Sequence, residues 1–268
     1  MARAGPVGPI GFPEMYERWL VPPLFRPWVD DTFEAIGLAP ADRVLDVACG
    51  TGIVARVARE RLGAAAVVVG VDVNPGMLAV ARTTAPAIDW REGDVRTLPL
   101  AATEQFDVVV CQQGLQFMAD KPAAVAAMRG ALAPRGRMAL LTWRPLEDVP
   151  LFKALHGVCE RHLGPVVDRR HSFGHAEPLA ALLREAGMRE PRVRTLRRAI
   201  RVEDAAIFIR LNAMALVGMS PDATQMDSAS RASTVARVVD DSAAIVARFS
   251  SAGSLVFDLS TNLATGLV

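Results

Sequence analysis

The segment Val44-Leu45-Asp46-Val47-Ala48-Cys49-Gly50-Thr51-Gly52 constrains this chain more than any other. A short apolar run passes into a glycine-rich turn, and Ile53, Val54, Val57, Ala58 and Leu62 then recur at helical spacing. Strand, glycine turn and helix in that order let a ligand approach the backbone, with helix N-terminal amides aimed at it. The pattern then repeats. Ala66 to Val71 is a continuous, largely β-branched run, as expected of a strand buried on both faces of a parallel sheet. Asn74-Pro75 opens a helix through Met77, Leu78 and Ala81. Ile88 to Arg91 and Phe106 to Cys111 read as further strands, Lys121-Pro122 opens a helix to about Leu132, and Pro134-Arg135-Gly136 turns into a fifth strand, Arg137 to Trp143. Strands alternating with short helices indicate βαβ units and a parallel sheet.

The flanks are less regular. The segment to Pro13 is rich in Gly and Pro and reads as irregular, and Glu14 to Ile36 reads as two short helices bent at Pro22, Pro23 and Pro27. After Trp143, Leu151–Leu163, Glu177–Ala186, Glu203–Val217 and Ala229–Phe249 read as helices, and Arg192–Val202 and Ser254–Thr265 as strands. No linker separates the halves. The expectation is one domain over 1–268, with lid helices in 1–40, a cofactor-binding core in 41–144, and acceptor-site insertions with the last strands in 145–268.

Composition narrows the class. Hydrophobic residues are 51% of the chain, enough for a sizeable core, and 30 basic against 29 acidic residues leave a net charge of +1. A balanced chain does not bind nucleic acid through a whole-surface field. Arginines 189, 192, 194, 197, 198 and 201 lack interleaved aromatics and read as a solvated strand face. Cys49, Cys111 and Cys159 have neither disulfide nor metal-ligand spacing, so no metal is expected. The first twenty residues do not read as a signal peptide, and no apolar run is long enough to span a membrane. The expectation is a soluble cytoplasmic protein with a small-molecule partner, its oligomeric state open and compatible with a homodimer.

Asp72 lies 22 positions after Gly50, at the end of the second strand, where an acidic residue can accept from ribose hydroxyls. The G-x-G-x-x-G dinucleotide pattern fails at Ala48 and Ile53, and the P-loop pattern is absent. The segment instead resembles the glycine-rich motif of class I S-adenosylmethionine (SAM)-dependent methyltransferases, with Ala48 where the family's first glycine stands. Four further blocks resemble the family in order: Val69–Asn74 with Met77-Leu78, Gly93-Asp94-Val95 with Leu98-Pro99-Leu100, Phe106–Cys111, and Leu132–Arg137, with Arg135 replacing the commoner glycine. The resemblance covers residues 14–144 and is closest to small-molecule enzymes of quinone and natural-product biosynthesis. It implies a Rossmann-like, doubly wound α/β fold with a mostly parallel seven-stranded sheet and helical lid insertions.

It also implies roles. Ala48, Gly50, Thr51 and Gly52 would form the loop at the methionine end of SAM, with Asp46 ordering that loop and meeting the amino group. Asp72 would hold the ribose hydroxyls, and Val73, Asn74 and Met77 would flank the adenine. Gly93, Asp94 and Val95 would receive the adenine edge, and Tyr16 would cover the cofactor. Gln112 would position the acceptor. For a general base, His171 is the first choice among four histidines, because Arg169, Arg170 and Ser172 surround it. The implied reaction is in-line methyl transfer from SAM to a small molecule, with oxygen the expected acceptor atom and carbon or nitrogen open. Two alternatives stand beside it. One is a SAM-binding scaffold used for other chemistry or as a non-catalytic partner. The other is a nucleotide-dependent oxidoreductase, which the glycine spacing disfavours.

Overall fold

The computed structural model describes residues 11–268; residues 1–10, with most of the Gly/Pro-rich segment expected to be irregular, lie outside the described residues. Helix α1 (Phe12–Met15) runs into a π-helical stretch, Tyr16–Phe25, then a 3-10 turn, Arg26–Trp28, and α2 (Val29–Ile36). The prolines were expected to split this segment into two bent helices, yet the helical elements follow one another without a break. A proline in an α-helix lacks the N–H donor, and its ring meets the carbonyl four residues earlier. Through the prolines the turn widens to the π register, and the Arg26 N–H donates five residues back, to Val21.

The core alternates as expected: β1 (Val44–Val47), α3 (Ile53–Leu62), β2 (Val68–Asp72), α4 (Pro75–Thr84), β3 (Asp89–Glu92), β4 (Phe106–Gln112), α5 (Lys121–Gly130) and β5 (Leu132–Trp143). Then come α6 (Pro150–Leu163), α7 (Ala176–Glu185), β6 (Arg189–Val202), α8 (Ala205–Met219), α9 (Ser228–Asp241), α10 (Ala243–Phe249), β7 (Ser250–Ser251) and β8 (Ser254–Leu267). Two features depart from the sequence reading. Ala229–Phe249 is two helices rather than one, parted at Ser242, whose buried hydroxyl donates to the Val238 carbonyl. The two-residue β7 makes the sheet eight-stranded.

The strand order is β3-β2-β1-β4-β5-β8-β6, with β7 on β8. The first five strands are parallel, and β8 is antiparallel to both β5 and β6. Period-2 alternation divides the strand residues between two cores. Val44, Val108 and Val110 pack with α2, α3, α4, α6 and α8, whereas Leu45, Val109 and Cys111 pack with α5 and α7. A third cluster joins α6, α8 and α9 beyond the sheet. The order reverses between β1 and β4, so their carboxyl ends flank the crevice where ligands bind in open α/β sheets. Among the described residues no helix is long and apolar enough to cross a membrane.

Candidate active site

At that crevice the chain leaves β1 through a turn that needs unusual backbone angles. Ala48, Gly50 and Gly52 have φ of 55°, 55° and 87°. Glycine adopts such angles freely, but an L-alanine is strained there. The family's first glycine is therefore replaced at a position that favours glycine, and a neighbour accommodates the extra methyl. A Cβ on Gly114 would lie 2.5 Å from the Cβ of Ala48. Gly52 has a packing role: a Cβ there would meet the Trp90 ring at 2.1 Å, and one on Gly70 would meet it at 2.3 Å. Trp90, anchored by Nε1–H to the Ala85 carbonyl at 2.9 Å, wedges under the glycine turn.

Two carboxylates converge on this turn. Asp72 Oδ2 accepts from the Gly50 N–H at 2.7 Å and Oδ1 from the Asn74 N–H at 2.8 Å. Asp46, buried at the end of β1, accepts from the Ala55 N–H at 3.0 Å. Burial pushes the Asp46 pKa up to about 8; the Ala55 amide opposes that rise and the charge of Asp72 adds to it. Asp72 is also raised by burial, against the pull of its backbone donors. Tyr16 is half-buried beside both, and its phenol is pushed well above its ordinary value by desolvation and by Asp72, Glu17 and Asp46. The phenol therefore keeps its proton, which suits it to donate a hydrogen bond to a ligand rather than to act as a base.

These groups open on a cavity of about 690 Å³. Of the residues singled out in the sequence, Tyr16, Asp46, Ala48, Gly50, Asp72, Val73, Asn74, Met77, Gly93, Asp94, Val95 and Gln112 line it. Thr51, Gly52 and His171 do not. Asp94 is engaged in its own loop, accepting from the Arg96 N–H at 2.8 Å and pairing with that guanidinium at 2.8 Å. Its pKa is held near 2, chiefly by the Arg96 side chain.

His171 is buried, with Nδ1 2.7 Å from the Arg144 carbonyl. It packs edge-on against Phe152 at 5.5 Å, and it is Phe152 that faces the cavity. A carbonyl only accepts, so Nδ1 carries the proton, and burial lowers the imidazole's pKa. The polar residues expected to mark a catalytic histidine serve other bonds. Arg170 clamps both oxygens of Asp168, at 2.8 and 2.6 Å, and donates to Asn212 Oδ1 at 2.8 Å; Arg169 donates to the Phe117 carbonyl. Among the described lining residues there is no histidine, lysine or glutamate.

The sequence reading places an acceptor site in the insertions of 145–268 and beside Gln112 but does not name the apolar walls of the cavity's far half. Leu20, Leu24 and Phe25 of the π-helix face Trp143, Phe152 and Phe208, with Arg170 and Asn212 as polar exceptions. Residues drawn from Leu20 to Asn212 make this chamber, which local periodicity cannot reveal. One signal is local: the run Gln112-Gln113-Gly114-Leu115-Gln116-Phe117 is rich in amides, and Gln113 and Gln116 line the cavity beside Gln112. Of the methionines late in the chain Met219 lines it too, while Met214 and Met226 pack in the cluster of α6, α8 and α9.

The residues fit SAM. A buried carboxylate, Asp46, and a half-buried one, Asp72, both with raised pKa, favour a cationic ligand beside them, and a Cβ built on Gly50 would meet no atom within 4 Å, so the turn leaves room next to those carboxylates. Residues 44–136 match the model of a methyltransferase domain family. The ubiquinone/menaquinone biosynthesis C-methyltransferase UbiE of Cupriavidus necator is 33% identical over 162 residues, covering 55% of this chain and 65% of that one. The 2-phytyl-1,4-naphtoquinone methyltransferase of Trichormus variabilis is 32% identical over 129 residues, 46% of this chain and 56% of that one. The chain thus spans less than two thirds of the length of these relatives. In fold, a SAM-dependent methyltransferase from Thermotoga maritima superposes with a TM-score of 0.57 at 18% identity, covering 96% of both chains. The cyclase SpnF gives 0.52 at 22% identity, covering 91% of this chain and 81% of that one. The glycine turn, the strand order and the match over residues 44–136 agree on a methyltransferase domain in that part of the chain, within a fold shared with solved SAM-dependent methyltransferases.

Proposed function

We propose that this protein transfers a methyl group from SAM to a small molecule held in the apolar half of the cavity. The observation that carries the reading is the continuity of that cavity. One space joins the Asp46–Asp72 carboxylates at the glycine turn to the chamber walled by Phe25, Trp143, Phe152 and Phe208. Bound SAM supplies an electrophilic methyl on a sulfonium. The chain's task is then to orient, to exclude water and to hold charge. Asp72 would accept from the ribose hydroxyls with the lone pairs its two backbone donors leave free, and Asp46 would meet the amino end. Tyr16 and the π-helix would cover the cofactor, and Met77 and Val95 would flank the adenine. Holding donor and acceptor in line can supply much of the rate enhancement. We place the whole activity in one domain, its lid and insertions building the acceptor half.

The lining bears on the acceptor atom. No histidine, lysine or glutamate lines the cavity, and its aspartates, Asp46, Asp72, Asp94 and Asp120, each accept from backbone amides at the cofactor turn or in their own loops, which leaves an acceptor hydroxyl no dedicated base. The similarity to enzymes named as C-methyltransferases supports a carbon nucleophile activated by its own substituents at least as well as the oxygen expected from sequence. The missing base also sustains the second reading, a SAM-binding scaffold that does not transfer the methyl.

Calorimetric titration with S-adenosylhomocysteine, with NAD and NADP as controls, tests the cofactor. The homocysteine product should bind in the micromolar range and the dinucleotides should not. Asp72→Ala removes the acceptor for the Gly50 and Asn74 amides as well as for the ribose, and should weaken binding by at least about 10-fold. Unchanged affinity in Asp72→Ala would refute the placement. Transfer of a labelled methyl group to any extracted metabolite would then separate the enzyme from the scaffold.

A further inference from the structure

The amide cluster at the end of β4 has a hydrogen-bond polarity that can be followed atom by atom. Gln112 Nε2 donates to the Phe25 carbonyl at 3.0 Å. A carbonyl only accepts, so this amide must face it with nitrogen, and Oε1 is left over. A second chain starts deeper. The Thr261 hydroxyl donates its one proton to the Thr142 carbonyl at 2.9 Å, so its oxygen accepts from Gln113 Nε2 at 2.9 Å. Gln113 then presents Oε1 to Gln116 Nε2 at 3.5 Å, and the chain ends at Gln116 Oε1. Both terminal atoms, Gln112 Oε1 and Gln116 Oε1, are buried without a donor among the described residues. Both residues line the cavity. The loop is held in place at some cost: Gln113 has φ 58°, a left-handed conformation strained for a residue with a side chain. Buried polar atoms are normally paired, so two bare acceptors of like polarity in one cavity wall call for donors from a ligand.

Charge narrows the ligand further. Two arginines line the cavity: Arg96 is paired with Asp94, and Arg170, in the chamber beyond the amides, already holds both oxygens of the buried Asp168. No cation is left over there to meet an anionic acceptor.

We propose that Gln112 and Gln116 select the acceptor: a neutral, largely apolar molecule carrying a hydroxyl or N–H group whose hydrogen is received by these amide oxygens, to the exclusion of its capped and its anionic analogues. This rests on the reading of the cavity's far half as the acceptor site. The amides orient the donor group and take no proton from it, so their role is specificity.

The test uses the full chain loaded with S-adenosylhomocysteine, titrated with three probes of similar shape: 1-naphthol, its methyl ether and 1-naphthoate. Naphthol should bind at least about 10-fold more tightly than the ether, because a site built around a donor leaves its acceptors unpaired with the capped analogue. Naphthoate should bind no better than the ether. In the Gln112→Met/Gln116→Met double variant the naphthol-to-ether ratio should fall to about 1, whatever the lost Gln112 tether on the Phe25 carbonyl costs both probes alike. A merely structural loss would weaken both probes together. Equal binding of naphthol and ether by the natural chain, tighter binding of naphthoate, failure of naphthol to bind, or a ratio that survives the double substitution would overturn the inference. If S-adenosylhomocysteine does not bind, the same titrations on the unloaded chain still decide the amide selectivity, so the cofactor reading and this one fail separately.

Discussion

Asp46 is fully buried with one backbone donor and another carboxylate nearby, an arrangement costly for an anion. Its folded pKa of about 8 lies above the unfolded value of about 3.9. The unliganded folded state therefore holds a proton that the unfolded chain releases, and stability falls as pH rises from about 4 to about 8. Asp46→Asn keeps an oxygen for the Ala55 amide and removes the charge. Its melting temperature should fall less steeply over that window than the natural chain's. A cationic ligand inverts the preference, so SAM binding near pH 6 should release protons, seen as a dependence of calorimetric enthalpy on the buffer. Ala48 carries a different burden. Its left-handed φ of 55° costs an L-residue about 1 kcal/mol, and Ala48→Gly should raise stability by about that amount in urea unfolding. A loss of stability instead would mean that the Ala48 methyl, seated over Gly114, contributes more packing than strain.

The π-helix spans both halves of the cavity, the half proposed for the cofactor and the half proposed for the acceptor. It puts Tyr16 at the carboxylates and Leu20, Leu24 and Phe25 in the chamber, and two tethers hold it: Gln112 on the Phe25 carbonyl and Glu17 on Arg56 at 2.7 Å. Arg56 belongs to α3, which follows the glycine turn, so this ion pair fastens the lid to the cofactor loop. Both side chains are only about one-fifth exposed, which spares the pair much of the solvent screening that weakens surface bridges. Glu17→Gln should accelerate S-adenosylhomocysteine dissociation by about 2- to 5-fold in stopped-flow measurements and leave association nearly unchanged. Equal slowing of association would point to a misplaced lid rather than a loosened one. Strand elements were legible because parallel strands buried on both faces read as apolar runs, and β1 and β4 begin where the sequence places them. The π-helix was not, since prolines signal a break and only the surrounding packing selects the wider register. His171 was misjudged as a base candidate for a related reason: polar neighbours in sequence mark exposure as readily as a site, and here their partners are Asp168, Asn212 and the Phe117 carbonyl.

At the scale of the whole molecule, the strand that arrives last, β8, sits between β5 and β6 and completes the sheet. The cofactor half is contiguous in sequence and was read almost entirely from local motifs, whereas the acceptor half depends on what β8 brings together. Asn262, fully buried, is the residue that does this most directly. Its Nδ2 donates to the Gly174 carbonyl at 2.8 Å, and its Oδ1 accepts from the Thr195 hydroxyl at 2.9 Å. One side chain thereby ties β8 to β6 and to the segment between α6 and α7. Gly174 is fixed from its other side as well, since a Cβ there would meet the Pro145 nitrogen at 2.3 Å. Asn262→Ala leaves the buried Gly174 carbonyl without a partner and opens a small void, while the exposed Thr195 hydroxyl turns to water. The unpaired carbonyl and the void give an expected loss of about 1–3 kcal/mol in urea unfolding. Asn262 does not line the cavity, so S-adenosylhomocysteine affinity should stay within about 2-fold at a temperature where the variant is folded. A stability loss with unchanged affinity places Asn262 in the frame that supports the acceptor half. A parallel loss of affinity would mean instead that the sheet's two halves are coupled through β8 more tightly than their separate cores imply.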